Sequence, residues 1–134
     1  MDIMVSLPVT VPMRTADEIS EAIELYLEGN CDSVIAVSPS NRHPAYDMVF
    51  LKDNEASLIV PNDDPFARVR RNQAYEITNL IYVSSAEYAA GTANYFTGKV
   101  KSIIVPRSHS FDIRSSIDLQ LAEILLSQKS KSDF

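Results

Sequence analysis

The sequence predicts an α/β domain, and three observations predict it. A short apolar run, Ile3 to Leu7, is followed by a helix-period segment and then by the β-branched run Ser33 to Val37, the order of a β-α-β unit. Further strand-like runs alternate with short helical stretches through the rest of the chain. At 134 residues and 46% hydrophobic, the chain has the size and apolar content for one core. It shows no internal repeat and no low-complexity segment.

Ile3–Leu7 reads as a buried strand, and Pro8 and Pro12 bracket a stiff loop after it. Thr15-Ala16-Asp17-Glu18 is a capping box, with Thr at the cap and Glu three residues on. Ile19, Ala22, Ile23, Tyr26 and Leu27 then fall on one helix face, and Gly29-Asn30 stops the helix. Ser33–Val37 is the next strand, so the first and second strands should run parallel with a right-handed crossover. Ligands bind beyond the carboxyl ends of such strands, which directs attention to the loops Pro8–Arg14 and Ser38–Pro44.

Tyr46–Leu51 and Ala56–Val60 read as a hairpin around Lys52-Asp53-Asn54-Glu55, without a preferred Asn-Gly turn. Asn79–Val83 is a strand, Ser85–Ala90 a short helix, and Ser102–Val105 a strand closed by Pro106. A last helix runs from about Ser116 to Ser127, with Ile117, Leu121, Ile124 and Leu125 on its apolar face. The polar tail Gln128–Phe134 should fray. The chain opens directly into an apolar strand, and such a strand needs sheet neighbours; the expectation is a domain missing its first strands.

A net charge of −6 argues against non-specific binding to nucleic acid or to an anionic membrane face. No apolar run approaches the ~20 residues that span a bilayer. The start lacks the basic region of a signal peptide, and the single cysteine, Cys31, forbids an internal disulfide; both fit a cytoplasmic protein. Gly29, Gly91 and Gly98 are the only glycines, and their spacing builds no phosphate-cradling loop.

Four stretches, in order, resemble the acylneuraminate cytidylyltransferase family. Thr10-Val11-Pro12-Met13-Arg14-Thr15 with Asp17, Glu18 and Ile19 is similar to the family's Thr-Ser-Pro-Leu-Arg loop and the helix behind it. Arg42-His43-Pro44-Ala45-Tyr46-Asp47-Met48-Val49 resembles an Arg-Asn-Pro-Tyr-Phe-Asn-Met-Val segment of one branch. Arg70-Arg71-Asn72-Gln73, with Tyr75 and the strand to Tyr82, is similar to an Arg-Arg-Gln-Asp stretch and its following strand. Phe111-Asp112-Ile113 with Asp118, Leu119, Ala122 and Glu123 resembles the Asp-Ile-Asp stretch and the final helix.

The resemblance implies a Rossmann-like nucleotide-diphospho-sugar transferase fold over residues 1–134, truncated at its N-terminus. It implies a projecting β-hairpin at about 45–62 that helps form a homodimer. The implied reaction moves CMP from CTP to an acidic 2-keto sugar, releasing pyrophosphate with Mg²⁺. The alternative is a non-catalytic, dimerising remnant or sugar-acid-binding module. The implied substrate contacts are Thr10, Arg14, Arg42, Tyr46, Arg70, Arg71 and Gln73, with Asp112 as metal ligand. The chain departs from the family in having no Gly- and Arg-rich nucleotide loop, in Pro8 where many members carry glutamine, and in Arg114 where a second metal carboxylate stands.

The residues themselves support part of this. Arg68, Arg70 and Arg71 concentrate positive charge in an acidic chain, and a guanidinium fork suits a sugar carboxylate; by charge alone they are a solvated loop balancing Asp63 and Asp64. Arg14 and Arg42 leave the ligand-binding edge, although Arg14 could equally pair with Asp17 or Glu18. Asp112 alone would hold Mg²⁺ only with phosphate, water or a second carboxylate, and Arg114 opposes a cation at close range. Asp118 reads as a structural acid at a helix start, and His43 and His109 as ordinary loop residues.

Overall fold

The computed structural model describes residues 2–64, 73–92 and 94–132. In chain order the elements are β1 (Ile3–Ser6), α1 (Ala16–Leu27), β2 (Ser33–Pro39), β3 (Val49–Lys52), β4 (Glu55–Leu58), β5 (Tyr75–Ser85), α2 (Ala86–Gly91), a 3₁₀ turn (Tyr95–Thr97), β6 (Val100–Ile104) and α3 (Ser116–Ser132). They fall into two compact units, Met1–Ser38 with Ile77–Phe134, and Pro39–Glu76. The fold class is α/β with a mixed sheet.

The first unit is built on a four-stranded sheet of order β1-β5-β2-β6. β1 pairs antiparallel with β5, Ile3 opposite Ser85 and Ser6 opposite Tyr82. β2 pairs parallel with β6, Ser33 opposite Val100 and Val37 opposite Ile104. Sequence reading treated β1-α1-β2 as one unit and did not place β5 between its strands. The reason for that placement is burial on both faces: Leu80 and Ile81 are consecutive and both fully buried, as is Val83. A strand with no wet face belongs in the middle of a sheet. Val11, Ala22, Tyr26, Val34, Ala36, Ile103 and Val105 complete the core around it.

α1 starts where its capping box predicts. The Thr15 side chain accepts from the Glu18 amide at 3.3 Å, and the Glu18 carboxylate accepts from the Thr15 amide at 2.8 Å. Ala22 and Tyr26 are buried, with Ile19 and Ile23 packed beside them. Leu27 does not join this face; it is 62% exposed, and Leu25 packs in its place on the flank that faces β6. Both leucines sit at the edges of the apolar stripe, and only one edge meets the sheet. Gly29 and Asn30 end the helix with φ of 81° and 60°, left-handed values that Gly and Asn tolerate.

α3 corrects the sequence reading in two ways. It runs past Ser127 to Ser132, through residues expected to fray. Its packed face is also rotated by about one residue. Asp118, Ala122 and Leu125 are the residues turned inward, whereas Ile117 (67% exposed), Leu121 and Ile124 face outward. At the helix start the Ser115 hydroxyl donates to the Asp118 carboxylate at 2.9 Å and accepts from the Asp118 amide at 3.3 Å.

In the second unit β3 and β4 pair antiparallel, Val49 opposite Leu58 and Lys52 opposite Glu55. The two-residue turn is Asp53-Asn54, both at positive φ (49° and 68°). That is the backbone of a type I′ turn, reached with the two non-glycine residues best able to adopt it.

Thr15→Ala removes the acceptor for the Glu18 amide and leaves a helix-start donor without its partner. The expected cost is about 1 kcal/mol, read as a lower urea midpoint at unchanged slope.

Candidate functional site

A polar centre forms in the first unit, where the loop after β1 meets the loop after β6 and the side of β5. The Ile113 amide donates to the Thr10 carbonyl at 2.8 Å, which ties the two loops together. Asp112 is thereby held with its side chain only 17% exposed. Its Oδ2 accepts from Asn79 Nδ2 at 3.0 Å and from Arg114 Nε at 3.1 Å, and the Thr10 side chain lies beside the carboxylate. The other side of the Asn79 amide, Oδ1, accepts from the Tyr82 hydroxyl at 2.7 Å. Because both ends of this amide are engaged, its orientation is set by chemistry. The Tyr95 ring lies beside Tyr82, centroids 5.1 Å apart, and Tyr88 holds the Tyr95 carbonyl through its hydroxyl at 2.8 Å.

The electrostatics follow from these partners. The neighbouring Thr10 side chain is the main cause holding the Asp112 carboxyl below its usual range; Asn79 and Arg114 add to it, and burial opposes them. Tyr82 moves the other way. Burial raises its phenol above the ordinary tyrosine value, and Tyr95 and Asp112 add to the rise. At neutral pH the centre therefore presents an ionised carboxylate, a fixed amide and a protonated phenol. Such a set can bind and orient polar groups, and Tyr82 serves as a donor rather than a base.

These residues do not fit a divalent cation as they stand. A cation would have to approach a carboxylate already engaged by two donors, one of them a guanidinium. Among the described residues no group of three His, Cys, Asp or Glu side chains comes together. Asp118 is engaged elsewhere: its Oδ2 accepts from the Arg114 amide at 3.0 Å and from Ser115, which makes it the structural acid the sequence suggested.

Of the other expected site residues, Arg14 belongs to this unit. Its Nη2 donates to the Pro8 carbonyl, and its Nε is buried without a partner. The pairing with Asp17 or Glu18 is not made, because the Glu18 oxygens are taken by the Thr15 amide and by His109 Nδ1 at 2.5 Å. His109 is thus more than an ordinary loop residue: it fastens the loop after β6 to the start of α1.

Arg42, Tyr46 and Gln73 lie in the second unit. Gln73 Nε2 donates to the Ser40 and Ala74 carbonyls at 3.0 and 2.6 Å. Ser40 bridges the Arg42 backbone and Glu76, and Tyr46 stacks on His43 at 4.4 Å. Arg70 and Arg71 lie outside the described residues. Sequence reasoning missed Asn79, Tyr82 and Tyr95 as site residues. The available signal was a polar Asn and a Tyr inside an otherwise apolar strand, since buried polar groups need partners.

No protein-family model matches the chain. Individual proteins do. Over 130 residues, 96% of the chain, it is 22% identical to a post-translational flagellin modification protein B of Campylobacter coli, of which this covers 54%. It is 25% identical over 114 residues to an N-acylneuraminate cytidylyltransferase of Streptococcus agalactiae, covering 85% of the chain and 28% of that protein. It is 24% identical over 100 residues to a CMP-N,N'-diacetyllegionaminic acid synthase of Campylobacter jejuni, covering 74% of the chain and 42% of that protein. The chain is a distant relative of the acylneuraminate cytidylyltransferases. It spans about half the length, or less, of these curated relatives. No helix among the described residues is long and apolar enough to cross a membrane.

The lowered pKa of Asp112 gives a signed pH prediction. A carboxylate depressed in the folded state stabilises above its unfolded pKa, and that stability is lost as pH falls through the folded value. Asp112→Asn should therefore lower stability at pH 7, and its gap to the parent should narrow as pH falls below the ordinary carboxylate range. Urea melts from pH 7 to 3 measure this; a pH-independent gap would show that the charge at Asp112 contributes nothing.

Proposed function

We propose that this chain has a cytidylyltransferase-family role and takes a sialic-acid-like 2-keto sugar acid as ligand. The observation that carries the reading is the similarity to cytidylyltransferases and to a CMP-legionaminic acid synthase over most of the chain. The mixed α/β sheet is compatible with a Rossmann-like nucleotide-diphospho-sugar transferase fold. In the whole reaction the anomeric oxygen of the sugar acid bonds to the α-phosphorus of CTP. The α–β anhydride bond breaks, pyrophosphate leaves, and the hydroxyl proton is lost to a base or to water.

The chain's own residues would contribute binding and orientation. Tyr82 and Asn79 are polar groups beside a half-buried tyrosine pair, and Thr10 borders the same centre. Arg14, Arg42, Arg70 and Arg71 are the cations proposed for carboxylate or phosphate. A second reading, a sugar-acid-binding module without turnover, is favoured by the engaged state of Asp112.

Calorimetric titration with sialic, legionaminic, pseudaminic and octulosonic acids tests the common part of both readings. One acid should bind, and Arg70→Ala or Arg71→Ala should weaken it about tenfold, the scale of a lost hydrogen bond to a charged group. Pyrophosphate release from CTP, measured alongside, separates enzyme from binding module. If no acid binds and no pyrophosphate appears, the sugar-acid reading fails.

We also propose a homodimer through the β3–β4 ribbon. Phe50 (61% exposed), Leu51 (74%) and Val49 leave apolar surface on a two-stranded pair that is marginal by itself. Light scattering should give twice the chain mass, and Phe50→Lys with Leu51→Lys should give the monomer. A monomeric parent at high concentration counts against it.

A further inference from the structure

We propose that Arg114 is a built-in counter-cation for Asp112, and that it makes this centre independent of a divalent metal. The inference concerns the same centre as the proposed function but rests on its local geometry. Arg114 Nε donates to Asp112 Oδ2 at 3.1 Å, on the same oxygen that accepts from Asn79 at 3.0 Å. Both of these hydrogen bonds fall on one oxygen of the carboxylate, so two of its about four acceptor positions are taken, one of them by a guanidinium. A magnesium ion must sit about 2.1 Å from such an oxygen. At Oδ2 that position faces N–H hydrogens, so the ion would have to displace a charge-assisted hydrogen bond, and at either oxygen it would sit beside the guanidinium, a like charge.

The backbone favours the pair. Asp112 and Arg114 are two residues apart in an extended loop whose ends are fixed. On one side Ile113 is bonded to Thr10 at 2.8 Å; on the other the Arg114 amide is bonded to Asp118 at 3.0 Å. The guanidinium is therefore delivered to the carboxylate by a held segment, although its side chain is 75% exposed. The same exposure means that replacing it disturbs little packing. Asp118, the other acid of this loop, is held at the start of α3 through its Oδ2, which accepts from the Arg114 amide and the Ser115 hydroxyl.

Manganese titration followed by electron paramagnetic resonance tests this with the metal alone and requires no turnover, so its failure is distinct from failure of the sugar-acid reading. The parent should show only weak, background Mn²⁺ binding that Asp112→Asn does not change. Arg114→Asp should create a site at least tenfold tighter than the parent's, and Arg114→Gln should give a smaller gain. Asp112→Asn added to Arg114→Asp should abolish the gain. Circular dichroism of each variant establishes that the comparison is between folded chains. If the parent already binds Mn²⁺ through Asp112 as tightly as Arg114→Asp, or if neither Arg114 variant gains affinity, the counter-cation role is wrong.

Discussion

Burial of β5 on both faces is the constraint from which the first unit follows. Consecutive buried side chains at Leu80 and Ile81 leave the strand beyond its exposed start, Tyr75 to Ile77, no wet face, so that stretch needs a neighbour on each edge and cover above and below. β1 and β2 take the edges, and α1 covers part of one face through Ala22 and Tyr26. A polar residue placed on such a strand is expensive unless it is partnered. Thr78 meets this by donating to the Ala36 carbonyl at 3.0 Å. Asn79 and Tyr82 meet it by bonding each other and Asp112.

The polar centre is therefore a consequence of the sheet as well as a candidate for function. Asp112 stays ionised because donors converge on it, and Tyr82 stays protonated because it is buried near a negative charge. The two shifts have opposite sign and a shared geometry. They leave a centre able to offer hydrogen bonds to a polar ligand, with its charge already balanced by Arg114. This is the physical basis for treating the centre as one that binds and orients.

Loop anchoring makes the geometry reproducible. Glu18 serves α1 as the acid of its capping box and also holds His109, so one carboxylate joins the start of α1 to the loop that carries Asp112. The loop is then bonded to Thr10 at Ile113 and to the start of α3 at Arg114. Three successive attachments fix a segment that has no regular hydrogen-bond ladder of its own.

Local chemistry was legible in the sequence. The Thr15–Glu18 box, the Gly29-Asn30 stop and the strand runs each depend on residues close together in the chain, and they appear where those residues stand. The ordered resemblance to a sugar-activating family was legible too, whereas Asp112 stood out only as a metal ligand, not as a carboxylate held by Asn79 and Arg114. The tertiary structure decided what depends on distant partners. β5 stands between β1 and β2 because its neighbours compete for a doubly buried strand. The packed face of α3 follows Ala122 and Leu125, with Asp118 half-buried; its apolar residues are spread around the helix, so periodicity could not choose a face and tertiary packing did. Asn79, Tyr82 and Tyr95 join Asp112 only through folding, since hydrogen bonds between residues 33 apart leave no local pattern to read.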